Sequence, residues 1–334
     1  MAGLKSIFDR TPLKKLTLPN RLFRAAVGDR SSDGQVGEEN LALYEKLARG
    51  GVGTILTGFT RVSAKEDNIF PIFALYDDSF LPGHRRLTEL VHSRGALIFS
   101  QQVYVGSRMS KVFPDDASPE KREKTLFLSP SGTLPGDVGA QPREITAAEI
   151  AGVGDDFAGA AVRAKEAGYD GVEIHAAHGF LFSQFLTPLY NRRTDEYGGS
   201  WENRSRIVAE TYGKVRAAVG PDFPILLKIN ARESGGQPED LGDILAMAAK
   251  LDDLGLDGLE ISGDWWEFSK DSPAYFLSEA TRIAEKIKGA VILTGGLRTP
   301  EQMDQILNST GIRYFGLARP LIADPGLVNK FKGR

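Results

Sequence analysis

Eight short apolar runs recur along the 334 residues, each with few charges and nearly all followed by an amphipathic helical pattern. Together they predict an α/β fold of the (β/α)8 TIM-barrel class, because strands buried on both faces of a parallel sheet read as continuous apolar runs. The length agrees, since such barrels commonly reach this size as one unit, and a single domain over residues 1–334 is expected. A doubly wound sheet is the alternative on pattern alone. It usually needs fewer units and a glycine-rich first turn, and no G-x-G-x-x-G follows the first run.

The predicted strands are Leu22–Val27, Gly53–Phe59, Ala96–Gln102, Gly171–Ala176, Pro224–Asn230, Gly258–Gly263, Val291–Gly296 and Tyr314–Arg319. Between them, helical periodicity predicts Glu39–Arg49, Pro82–Arg94, Ala147–Ala167, Trp201–Val219, Asp240–Leu254, Ser278–Lys288 and Pro300–Asn308. Thr146-Ala-Ala-Glu149 is a capping-box pattern, and Thr299-Pro300-Glu301-Gln302 supplies an N-cap followed by an N1 proline. Gly95, Gly168, Gly220, Gly255, Gly289 and Gly311 follow helical patterns as C-terminal stops. One spacing is irregular. Residues 103–143 are rich in Pro, Ser, Gly and Asp, and suit a long loop excursion between strands 3 and 4 that serves as an active-site lid.

The formal charge of −3, with no basic or acidic tail, argues against a nucleic-acid partner. No segment has the length and apolarity of a signal peptide or a membrane span, so a soluble cytoplasmic protein is expected. With no cysteine there is no disulfide, thiolate nucleophile or iron–sulfur ligand.

Barrels carry their chemistry at the C-terminal strand ends. In order these ends offer Ala25, Ala26, Val27 and Gly28; Thr57-Gly58; Gln101-Gln102; His175 with His178; Lys228; Ser262-Gly263; Gly295-Gly296; and Ala318-Arg319. Small residues beside amides, imidazoles and fixed cations suit a flat electron-accepting heterocycle that carries a phosphate. Gly295-Gly296 and Ala318-Arg319 follow the last two strands, where barrels recurrently bind phosphate. Lys228 stands on an apolar strand, and a buried unpaired lysine is costly enough to imply a role. His175 and His178 could grip one carbonyl or phenolate oxygen, or form half of a metal site; no third histidine is at hand for a metal.

The histidine pair is followed by Phe185-Leu-Thr-Pro-Leu-Tyr-Asn-Arg-Arg-Thr-Asp-Glu-Tyr-Gly-Gly-Ser200 and Glu202-Asn203-Arg204. This run resembles the Old Yellow Enzyme family of FMN-dependent oxidoreductases. The likeness extends from Pro19-Asn20-Arg21 to Gly316-Leu-Ala-Arg-Pro-Leu321 and Asp324-Pro325, so it covers essentially the whole chain. It implies non-covalent FMN, lying along Ala25 to Gly28 and bonded by the backbone at Gly58. The same likeness, anchored by Gln101-Gln-Val-Tyr104-Val-Gly106-Ser-Arg108, places Gln101 at the pyrimidine edge. It places Lys228 at the N1/O2 edge, and gives His175 and His178 the substrate's carbonyl oxygen.

Two departures stand out. Many relatives have a proton-donating tyrosine where this chain has Phe180, which leaves Tyr104, a water or a different reaction. Trp265 and Trp266 replace smaller or single aromatic residues and imply a more apolar substrate pocket. The chain ends near Lys330-Phe331-Lys332 without the electron-transfer domains of larger relatives, so a diffusible donor, NADH or NADPH, is expected. The resemblance thus implies reduction of the activated C=C bond of an enone-like small molecule. A flavin-dependent dehydrogenase or desaturase, a flavin reductase, and a flavin-binding protein with little turnover stay open, as does a homo-oligomeric state.

Overall fold

A computed structural model describes residues 3–31, 33–66, 72–108, 127–133, 142–232, 240–263 and 273–333. Eight parallel strands form the barrel: β1 (Leu22–Arg24), β2 (Thr54–Leu56), β3 (Leu97–Val103), β4 (Gly171–Ala176), β5 (Ile225–Asn230), β6 (Gly258–Ser262), β7 (Ala290–Thr294) and β8 (Tyr314–Leu317). Each pairs with the next, and β8 pairs with β1 to close the ring. The helices that return the chain are α1 (Glu38–Arg49), α2 (Leu81–His92), α3 (Ala147–Glu166), α4 (Arg206–Val219), α5 (Asp240–Asp253), α6 (Leu277–Ala284), α7 (Pro300–Ser309) and α8 (Leu327–Lys332). Thr146 and Glu149 form the expected capping box, and Thr299 caps the helix that opens on Pro300. Among the described residues no helix is long and apolar enough to cross a membrane.

The barrel interior divides into two layers. The lower layer is apolar and holds Phe23, Leu56, Phe99, Leu226, Ile292 and Tyr314. It is closed from below by a hairpin of Thr11–Leu13 and Leu16–Leu18, whose Leu13 and Leu18 join the same cluster. Tyr314 donates its hydroxyl to the Pro12 carbonyl at 2.7 Å, which satisfies the one polar atom of that buried ring. Above this floor the inward positions turn polar, and that is where the site lies. A second apolar layer, which includes Ile98, Val172, Ile174 and Leu227, seals the outward strand faces against the helices.

Three details depart from the sequence reading. The Trp201–Val219 helix is two segments, Trp201–Arg204 and Arg206–Val219, that meet at Ser205. A further helix, Leu181–Leu186, follows the histidine pair. The floor hairpin was not anticipated, because each of its strands is only three residues long. Of the expected lid over 103–143, residues 109–126 and 134–141 lie outside the described residues. Within the remainder, Leu128–Ser129 and Arg143–Glu144 pair as two short strands.

Candidate active site

Four polar side chains meet inside the barrel because their strands are neighbours in register. Gln101 on β3 sits opposite Glu173 on β4, and Lys228 on β5 sits opposite Glu260 on β6. Gln101 Nε2 donates to Glu173 at 2.5 Å, and Lys228 Nζ lies 2.8 Å from Glu260 Oε1. All four are buried. Lys228 is therefore not the unpaired lysine that the sequence suggested; strand register supplies its counter-ion. Burial, then the nearby Glu260, pushes the Glu173 carboxyl well above the usual range. For Glu260 burial acts in the same upward sense, but Lys228 and hydrogen bonds outweigh it and hold that group below its ordinary value. Glu173 therefore takes up a proton more readily than Glu260, which sits against Lys228.

His175 is the last inward residue on β4, two positions beyond Glu173, and alternation puts both on the inner face. Its Nδ1 accepts the Ala177 N–H at 3.3 Å, which leaves the proton of the neutral ring on Nε2. That Nε2 is buried and has no partner among the described residues. His178 follows in a left-handed turn, with φ 58°. Asn230 Oδ1 accepts its backbone N–H at 3.0 Å, and its Nε2 lies 3.1 Å from Ser262 Oγ. The two imidazole rings meet edge to face at 5.1 Å. Both are held well below the usual histidine range. For His175 the causes are burial, then His178 and Lys228; for His178 they are burial, then Lys228 and Arg108. The pair is uncharged at neutral pH, so each ring carries one N–H, and that of His175 is without a partner among the described residues.

Phe180 packs on this pair. Its ring lies 4.9 Å from His175 and 5.1 Å from Phe59, and Val103 and Ile72 belong to the same small cluster. Tyr104 does not join it. Val103 faces the cluster, so Tyr104, one residue on, faces the helical layer and belongs to the large outer apolar cluster. Burial, then Glu66, Asp156 and Glu149, raise its pKa, and its hydroxyl bonds Ser63. The structure therefore separates Tyr104 from the histidines.

An open cavity of about 300 Å³ occupies the strand ends. Ala25, Ala26, His178, Lys228, Gly295, Ala318 and Arg319 line it, as do Ser262, Gly263, Thr294, Tyr275 and Phe276. Tyr275 and Phe276 were missed; they precede α6 in a stretch with no strand or helix periodicity to mark them. Gly295 and Gly296 have φ 121° and 69°, and a Cβ on Gly296 would stand 2.6 Å from the Ala274 nitrogen, so the turn requires glycine. Val27 is half-buried beyond the end of β1. Gly58 is held differently from expectation. Its N–H donates to Asp29 Oδ2 at 2.8 Å, and that carboxylate also takes the Tyr44 hydroxyl and Arg24 Nη2. The Gly58 carbonyl accepts the Thr60 hydroxyl at 3.4 Å. A Cβ there would meet Asp29 N and Val27 O at 2.6 Å. Trp265 and Trp266 lie outside the described residues.

The closed barrel thus opens at its strand ends beside two uncharged imidazoles and a buried lysine. The chain belongs to the NADH:flavin oxidoreductase / NADH oxidase family, whose model matches residues 6–334. It is 32% identical over 344 residues to an NADH oxidase of Thermoanaerobacter brockii, covering 99% of this chain and 51% of that protein. The chain thus spans about half of that relative's length. It is 31% identical to an NADPH dehydrogenase of Bacillus velezensis, covering 96% of this chain and 92% of that one. Among solved structures, a morphinone reductase superposes with a TM-score of 0.84 at 27% identity, covering 99% of this chain and 90% of that one.

Members of the family use FMN and NAD(P)H, and the described residues fit a flavin. Gln101 Oε1 and His175 Nε2 are buried polar atoms with no partner among the described residues. Such atoms are expected where a polar ligand completes the site. The Gly295-Gly296 turn and Arg319 are arranged at the rim of the same cavity.

Proposed function

We propose that this chain is an FMN-dependent NAD(P)H oxidoreductase that reduces the activated C=C bond of α,β-unsaturated carbonyl compounds. The observation that carries the reading is the buried, unpartnered Nε2–H of His175 beside the neutral ring of His178. Bound FMN supplies a two-electron carrier that takes hydride from NADH or NADPH and returns it to the substrate. The chain's own groups do the rest. Arg319 and the Gly295-Gly296 turn would hold the phosphate, Ala25, Ala26 and Val27 would lie along the ring, and Gln101 and Lys228 would meet its polar edge.

His175 and His178 hold the substrate's carbonyl oxygen. As hydride reaches the β-carbon, negative charge builds on that oxygen, and both N–H bonds strengthen. Donors that gain strength in the transition state lower the barrier rather than merely tightening binding. The Phe59, Phe180 and Val103 wall gives His175 an apolar flank.

The α-carbon still needs a proton. Phe180 has none to give, and Tyr104 faces the helical layer, so water is the donor in this reading. The same observation favours a second reading, a flavin reductase working on another acceptor, which moves no proton at carbon. Anaerobic mixing of the FMN-loaded protein with NADH or NADPH, then with a panel of enones, decides between them. Bleaching by the nicotinamide and recovery by an enone are expected. Bleaching without recovery by any enone would leave the second reading.

A further inference from the structure

We propose that Glu260 is a positioning residue that offsets the charge of Lys228 and thereby sets the reduction potential of the bound flavin. The inference rests on the reading that places Lys228 at the flavin's polar edge. Lys228 lines the strand-end cavity, whereas Glu260 stands next to it on β6 and does not reach the lining. The ammonium therefore has the cavity on one side and a carboxylate, 2.8 Å away, on the other. Both side chains are almost completely buried, so water screens neither charge.

Two-electron reduction places negative charge on the flavin ring, and a cation at its edge favours the reduced form. A carboxylate in contact with that cation opposes the effect, because the incoming charge then meets a neutral ion pair instead of a lone ammonium. Glu173 completes the arrangement. It hydrogen-bonds Glu260 and receives Gln101 Nε2, so the buried group comprises one ammonium and two carboxyl groups, of which Glu173 takes up a proton more readily. A flavin poised at the lower potential that follows gives up hydride more readily, which favours reduction of a C=C bond over its formation.

The experiment is a titration of the FMN-loaded protein against redox dyes of known potential, for wild type, Lys228→Met, Glu260→Gln and Glu260→Asp. Glu173 is the neighbour able to ionise in place of Glu260, so Glu173→Gln/Glu260→Gln is measured as well. FMN dissociation constants for each variant separate a change of potential from a loosened cofactor. Lys228→Met is expected to lower the potential. Glu260→Gln is expected to raise it, shifting the ratio of reduced to oxidised flavin at fixed potential at least tenfold, about 30 mV for two electrons. Glu260→Asp, which keeps the charge but withdraws it by one methylene, should give a smaller rise, and the double variant at least as large a rise as Glu260→Gln. If Lys228→Met lowers the potential and none of the Glu260 variants raises it, the proposal is overturned. If Lys228→Met itself leaves the potential unchanged, the placement of Lys228 beside the flavin is what fails. Should Glu260→Gln not fold, Glu260→Asp still decides the direction.

Discussion

Replacing His175 by leucine is expected to stabilise the cofactor-free protein while disabling one half of its reaction. The two effects have one cause. His175 Nε2–H is buried without a partner among the described residues, and an unsatisfied buried donor costs about 1–3 kcal/mol. Leucine has similar bulk, can keep contact with Phe59 and Phe180, and carries no polar atom to desolvate. Core substitutions usually destabilise by about 1 kcal/mol. Here the relief of the orphaned donor should cancel that loss or reverse it by on the order of 1 kcal/mol. In turnover the same N–H is needed as charge builds on the substrate oxygen. Loss of such a donor costs roughly 2.7–4 kcal/mol, a factor of about 10²–10³ in rate. Denaturant unfolding of the apoprotein reads the first effect. Stopped-flow recovery of flavin absorbance with an enone reads the second, and bleaching by NAD(P)H, which develops no oxyanion, should stay within about tenfold of wild type. A destabilised variant in which both half-reactions fall together would refute the reasoning, because His175 would then be serving the packing and not the oxygen.

Arg319→Ala should weaken FMN retention roughly 10–150-fold, the loss of a charge-assisted hydrogen bond of about 1.5–3 kcal/mol, read by ultrafiltration of the yellow protein. Phe180→Tyr should speed recovery by an enone without changing bleaching by NAD(P)H, since it places a proton source beside His175; an unchanged recovery rate would argue for the second functional reading. His84 gives a pH dependence. It is sealed between the Tyr169 hydroxyl at 2.6 Å and the Ala74 carbonyl at 3.1 Å, and burial lowers its pKa to about 4. The unfolded chain takes up that proton near pH 6.5, so this stability is present above 6.5 and is lost as pH falls toward 4. The loss amounts to about 3 kcal/mol. The wild-type acid limb should exceed that of His84→Gln by this amount in denaturant titrations between those pH values.

Much of this arrangement was legible in the sequence, and what was missed has particular physical reasons. The barrel strands could be read because strands buried on both faces are apolar throughout, and the helices because an amphipathic stripe and its caps are local signals. His175, Lys228 and Gln101 could be placed because strand ends and alternation are also local. The face of Tyr104 was within reach of the same rule: counting by two from the inward Gln101 reaches Val103, which leaves Tyr104 on the outer face. Glu260 as the partner of Lys228 was out of reach, since it requires the register between β5 and β6, which no local pattern carries. The same holds for Gly58. Its N–H is taken by Asp29, a residue from the loop after β1 that only the folded chain brings there.

The charges around these strand ends suggest how the site favours a developing anion without being strongly cationic itself. Lys228 is neutralised by Glu260, Glu173 takes up a proton more readily than Glu260, and both histidines are uncharged because burial and neighbouring cations suppress protonation. Under the proposed function, what would face the substrate oxygen is therefore a pair of neutral imidazoles, not a free cation. One is set by the Ala177 N–H at His175 Nδ1; the other ring meets Ser262 Oγ, and Asn230 holds the His178 backbone N–H. Dipoles already aligned need no reorganisation as charge appears, and in a dry pocket they act with little screening. A charged imidazolium would bind anions in the ground state as well, and so would tighten complexes without selectively lowering the barrier. Under the proposed function, neutrality of the pair would be part of the chemistry, and the depressed histidine pKa values and the paired lysine would serve the same end.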